Sequence, residues 1–117
     1  MNKTVSEDVQ FRVLHLLEKQ PHLSQREISK ELALSLGGIN YCLKALVQKG
    51  QIKVRNFRES NNKIRYAYIL TPSGIEQKSR LTAGFLRRKM AEYEALRQEI
   101  TALEAELESG ADGAGRR

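Results

Sequence analysis

The spacing of apolar residues changes once between Ser24 and Leu70, and the change falls at Gly50. Before it, Ile28 and Leu32, then Ile39, Leu43, Leu46 and Val47, recur every three or four positions, the period of helices with one apolar stripe. After it, Gln51 to Phe57 alternates and Ile64 to Leu70 is rich in β-formers, while Arg58 to Lys63 between them is polar. A chain with this pattern must place short helices and a two-stranded hairpin side by side.

The helix limits are marked by residues that satisfy free backbone groups. Ser6, Glu7 and Asp8 open a first helix expected over 6–20, with Val9, Val13, Leu16 and Leu17 as its apolar side, and Pro21 stops it. Ser24-Gln25-Arg26-Glu27 is a capping box, and Leu23 can staple to Ile28 across the first turn. This predicts a second helix over 25–33, with Ile28, Leu32 and Ala33 inward. Ser35 is a further cap, and Gly50 supplies a left-handed stop, so a third helix is expected over 36–49. Thr71-Pro72 starts a fourth, threonine as cap and proline in the first helical position.

Helices two and three, a few residues apart, have the arrangement of a helix-turn-helix. The stripe of the third leaves Asn40, Tyr41, Lys44 and Gln48 on its other side, a polar and basic face. Gly37 and Gly38 cost about 1 kcal/mol each in a helix interior relative to alanine. Close approach of another backbone is one reason to keep them; relief of crowding against helix two is the other. From Leu86 the apolar positions Leu86, Tyr93, Leu96, Ile100, Leu103 and Leu107 fit a heptad seam that Lys89 interrupts. The fold expected is mainly α with a small β-hairpin: a winged helix-turn-helix over 1–71, a long C-terminal dimerisation helix over 72–108, and a disordered tail over 109–117.

Charge and chemistry narrow the function. The net charge is +6, and 14 of the 20 cations but only 7 of the 14 anions lie in residues 1–80, which directs a polyanionic partner to that part. One cysteine allows no internal disulfide, and two separated histidines beside it give no metal-ligand cluster, so no metal or other cofactor is expected. Cys42, next to Leu43, reads as an inert core thiol rather than a redox sensor, and His15 as a helix-surface residue. No phosphate loop, nucleophile elbow or carboxylate pair argues for an enzyme. No apolar run is long enough to span a bilayer, and MNKTVSEDVQ lacks the apolar core of a signal peptide, so a cytoplasmic protein is expected.

The segment SQREISKELALSLGGINYCLKALVQKGQI resembles the helix-turn-helix of winged-helix bacterial repressors. The hairpin exit ILTPSG is similar to that of MarR-type and PadR-type regulators, and the nearest likeness is to small MarR-type regulators associated with exopolysaccharide genes. Two features depart from the MarR pattern: the chain begins almost directly at helix one, and the wing tip reads Asn61-Asn62-Lys63-Ile64-Arg65 where an aspartate-x-arginine pair is usual.

A helix docks in the major groove with its N-terminal half against base edges, which makes Ser35, Leu36, Gly37, Gly38, Asn40, Tyr41 and Lys44 the expected readers of double-stranded DNA. Ser24, Gln25 and Arg26, where helix two crosses the backbone, are expected at phosphates, with Ser24 also a structural cap. Arg55, Arg58, Asn61, Asn62, Lys63 and Arg65 form the wing, suited to the backbone or minor groove. The seam predicts a homodimer, parallel or antiparallel, with antiparallel favoured because Arg87-Arg88-Lys89 would then meet Glu104, Glu106 and Glu108; packing of the arm onto its own winged helix is the alternative. The competing reading is a winged helix used for protein interaction or assembly without sequence-specific DNA binding. Nothing in the sequence names an effector, an operator or a regulated gene.

Overall fold

The computed structural model describes residues 5–115. The order is α1 (Glu7–Lys19), α2 (Gln25–Leu32), α3 (Leu36–Gln48), β1 (Ile52–Arg58), β2 (Ile64–Leu70) and α4 (Pro72–Gly115). This is the winged helix-turn-helix fold, and the chain divides after Phe85 into two units.

Every helix start carries its hydroxyl cap. Ser6 Oγ accepts from the Val9 N–H at 3.2 Å, Ser35 Oγ from Gly38 at 3.0 Å and Thr71 Oγ1 from Gly74 at 3.1 Å. At α2 the capping box is reciprocal: Ser24 Oγ accepts from the Glu27 N–H at 3.1 Å, and the Ser24 N–H donates to Glu27 Oε1 at 2.8 Å. These hydrogen bonds also hold the Glu27 carboxyl below its ordinary pKa, the Ser24 backbone first and Arg65 a smaller contributor.

The core is built by α1 (Phe11, Val13, Leu14, Leu16, Leu17), α2 (Ile28, Leu32) and α3 (Ile39, Cys42, Leu43, Leu46), closed by Ile52, Tyr68 and Leu81. Arg12 Nη2 ties α1 to α2 by donating to the Leu32 carbonyl at 2.6 Å. Two apolar residues expected inside are exposed. Ala33 takes the left-handed conformation that ends α2, φ 54°, so its methyl faces out and Leu34 packs on the core in its place. Val47 stands roughly 90° from the centre of the buried α3 stripe at 100° per residue, beyond its edge.

α3 ends in a Schellman arrangement. The Gly50 N–H donates to the Val47 carbonyl and the Gln51 N–H to the Leu46 carbonyl, both at 2.9 Å, with Gly50 at φ +71°. β1 and β2 then pair antiparallel, Ile52 opposite Leu70, Val54 opposite Tyr68 and Phe57 opposite Arg65. The Tyr68 N–H donates to the Pro21 carbonyl at 3.0 Å, tying β2 to the segment between α1 and α2.

At the hairpin exit, the threonine and glycine of the TPSG segment have separate tasks. The Thr71 N–H donates to the Gln51 carbonyl at 3.0 Å and its hydroxyl donates to the Gly50 carbonyl. A Cβ at Gly74 would lie 2.0 Å from the same Gln51 oxygen, so only glycine lets α4 leave so close to the end of α3. Within the first unit α4 packs against α1: Phe85 stacks on Phe11 at 4.4 Å between ring centres, and Lys78 pairs with Glu18.

His15 is not the surface residue expected. It is half-buried, stacked on Phe11 at 5.3 Å, and its Nδ1 is buried with no hydrogen-bond partner among the described residues. Burial holds its pKa below the ordinary value, helped by Lys78 and Lys19 and opposed by Glu18. Cys42 is buried, and desolvation pushes its thiol up to about 11.

In the second unit, Leu86, Tyr93, Leu96, Ile100, Leu103 and Leu107 are all between 48% and 76% exposed, as is Met90. The backbone stays helical to Gly115, past the boundary at 108 expected for a disordered tail. Residues 109–115 extend a helix already formed and need no new nucleus, although Gly110 and Gly113 each still cost about 1 kcal/mol there relative to alanine. The rest of that tail, 116–117, lies outside the described residues.

Candidate nucleic-acid interface

α3 presents its first turn to solvent. Ser35, Leu36, Gly37 and Gly38 are exposed, and Leu36 and Tyr41 are 42% and 45% exposed. A Cβ at Gly37 would meet no described atom within 4 Å, and one at Gly38 would meet only the Ser35 hydroxyl at 3.0 Å. Neither glycine therefore relieves crowding against α2. The face is also less polar than its sequence suggests, because Leu36, Tyr41 and Val47 are exposed beside Lys44 and Gln48.

Asn40 is half-buried and donates from Nδ2 to Gln25 Oε1 at 3.2 Å. Gln25 in turn donates from Nε2 to the Tyr68 hydroxyl at 3.1 Å. The helix-turn-helix thus joins a residue expected at a base edge to one expected at a phosphate. Arg26 is exposed at the start of α2, and the Ser24 hydroxyl is engaged in its cap. A shallow groove runs between α3 and the hairpin, with Asn40, Lys44 and Val47 on one side and Val54 and Tyr68 on the other.

The wing cations separate by strand register. Arg58 shares the face of Val54 and Tyr68, which turns to α3, whereas Arg55 and Arg65 share the opposite face with Phe57. Arg65 is half-buried between two carboxylates, Glu59 at 3.3 Å and Glu27 at 3.8 Å. The tip is a built turn: Asn62 sits at φ 67°, its Oδ1 accepts from Arg58 Nη1 at 2.8 Å, and Asn61 Oδ1 accepts from the Lys63 N–H at 3.2 Å. Asn61 and Asn62 shape the tip; of the expected wing cations Arg55, Arg58 and Lys63 are exposed, as is Lys53 on β1.

Sequence reasoning missed Tyr68, Glu27 and Glu59 as members of this surface. Tyr68 was legible only as a strand former, since its partner Gln25 lies 43 positions away. No group of three or more metal-ligating side chains occurs among the described residues, and no described helix is long and apolar enough to cross a membrane.

Comparison with known proteins agrees with this geometry. The family model of winged helix-turn-helix DNA-binding domains matches residues 6–53. An uncharacterized protein of Methanocaldococcus jannaschii is 29% identical over 69 residues, 58% of this chain, and the chain spans about a quarter of that relative's length, 23%. Among solved structures, a PadR-like transcriptional regulator of Bacillus cereus superposes with TM-score 0.64 at 18% identity, over 75% of this chain and 90% of that one. A MarR/EmrR family regulator of Acinetobacter gives 0.60 at 24% identity over 88% and 74%. Staphylococcus aureus MarR gives 0.51 at 26% over 70% and 53%. In sequence over residues 6–53 and in fold beyond them, the chain carries a winged helix-turn-helix, the fold it shares with these solved regulators.

Proposed function

We propose that this protein is a sequence-specific DNA-binding transcriptional regulator acting as a dimeric repressor, with α3 in the major groove and the hairpin on the flanking backbone or minor groove. One observation carries the reading: the first turn of α3 is exposed and bare of side chains at Gly37, beside Lys44 and a hairpin bearing Arg55, Arg58 and Lys63. Open backbone N–H groups at a helix start suit a phosphate, and the cations supply the charge neutralisation that duplex binding requires. The exopolysaccharide-associated resemblance points to genes of that kind as the regulated set.

A second copy of the chain is the partner of the distal α4. The apolar seam from Leu86 to Leu107 is about 32 Å long at 1.5 Å per residue, too extensive to stay bare on a small monomer. Antiparallel pairing sets Arg87, Arg88 and Lys89 against Glu104, Glu106 and Glu108 of the other copy, opposite charges at both ends. Two-fold symmetry then requires an inverted-repeat operator, its half-sites one helical turn, about 34 Å, or a multiple apart.

The exposed Leu36, Tyr41 and Val47 favour a second reading, a protein-interaction module. Gel shifts with genomic fragments at two salt concentrations separate the two. A regulator retains some fragments at high salt and releases the rest; an interaction module retains none, or binds all alike through charge.

A further inference from the structure

Tyr68, Gln25 and Asn40 belong to β2, the start of α2 and the first half of α3, yet they form one hydrogen-bonded chain of 3.1 and 3.2 Å links. Its far end is fixed. Tyr68 is buried, its N–H is bound to the Pro21 carbonyl, and it sits in register opposite Val54. Gln25 and Asn40 are half-buried, and both ends of the Gln25 amide are occupied.

Such a chain has two self-consistent states. In the one observed, Gln25 turns its nitrogen to the phenol and its oxygen to Asn40, whose nitrogen therefore points back at Gln25. In the other, the phenol donates, and both amides are reversed. Reversing only one amide would set donor against donor or acceptor against acceptor, which is unfavourable in a half-buried place. The orientation of the Asn40 amide is thus coupled to a hydroxyl on the hairpin. Adenine is read by an amide that donates to one ring position and accepts from its neighbour, so the orientation decides which side of Asn40 donates.

Building on the DNA-binding reading above, we propose that Tyr68 is a positioning residue for base readout: through Gln25 it lets the Asn40 amide turn only in concert with the Gln25 amide and the phenol proton, and so restricts base preference at the position Asn40 reads. Gln25 on this account orients Asn40 and does not contact phosphate.

The test uses wild type, Tyr68→Phe and Asn40→Ala with two readouts. In the free protein, nitrogen-15 spectra follow the side-chain amides of Gln25 and Asn40. Tyr68→Phe moves both resonances, while the backbone amides of Leu46 to Gln48 keep their positions. For readout, duplexes selected by wild type from a random pool are varied base by base, and the position read by Asn40 is the one whose preference Asn40→Ala abolishes. Tyr68→Phe lowers preference at that same position by roughly three- to tenfold, the worth of one lost hydrogen bond, and leaves affinity for random DNA within about twofold. A shift confined to Gln25, or a loss equal on all sequences, overturns the proposal. If wild type selects no sequence, the DNA reading fails and the readout role with it, while the amide spectra separately report whether the chain links the three residues.

Discussion

Replacing Gly37 by alanine sets fold stability against DNA binding. Gly37 is the second residue of α3 after the Ser35 cap; its φ is not positive, and an added Cβ finds no described atom within 4 Å. Inside the protein, then, alanine meets no obstacle and restricts the unfolded chain, for a gain of about 0.5–1 kcal/mol. For a unit of this size that raises Tm by roughly 2–6 °C. Against a duplex the same methyl stands between the helix start and the surface it approaches. Losing one charge-assisted N–H to phosphate contact costs about 1.5–3 kcal/mol, a roughly ten- to hundredfold fall in affinity. Circular dichroism melts and gel shifts on one preparation give both numbers. A raised Tm with undiminished binding refutes the placement of Gly37 at the duplex, and a lowered Tm refutes the packing argument.

Gly74→Ala does the reverse: its Cβ would overlap the Gln51 oxygen that accepts from Thr71, so we expect a loss of about 2–4 kcal/mol, read as a lower denaturant midpoint at unchanged slope. Cys42 keeps its proton in the fold to about pH 11, whereas in the unfolded chain it ionises near 9.0, so stability falls as pH rises through that window. Cys42→Ala removes that part of the alkaline loss in melts at pH 8 to 11, and an identical slope in both proteins contradicts it. Peroxide leaves wild-type binding unchanged for the same reason, and release that disappears in Cys42→Ser contradicts the buried, inert thiol. Ile100→Asp combined with Leu103→Asp yields a folded monomer with weakened operator binding; ultracentrifugation of a still dimeric double variant excludes distal α4 as the dimer contact.

Much of the fold was legible because its punctuation is local. Ser6, Ser24, Ser35 and Thr71 each bond to a backbone N–H three residues on, and Gly50 stops α3 within the same few residues, so neighbouring identities decide these limits. The residues that escaped are governed by distant ones. Arg65 counts as a free wing cation until the fold brings Glu27 from α2 beside it. His15 passes for a surface residue until α4 brings Lys78 near it; Ala33, by contrast, escaped for a local reason, since α2 ends on it in the left-handed conformation. The candidate site divides in the same way. The exposed turn of α3 and most wing cations follow from period and charge, whereas the link from Tyr68 through Gln25 to Asn40 exists only once three elements are packed.

The most direct test of site-selective DNA binding is the dissociation constant of the full-length protein for its best selected duplex and for a shuffled duplex of equal length, at 50 and 200 mM salt. Both affinities fall with salt, because Arg55, Arg58, Lys63 and Lys44 displace counterions, but the selected duplex keeps an advantage of about a thousandfold or more at the higher salt. Equal affinity for the two duplexes at 200 mM contradicts the account.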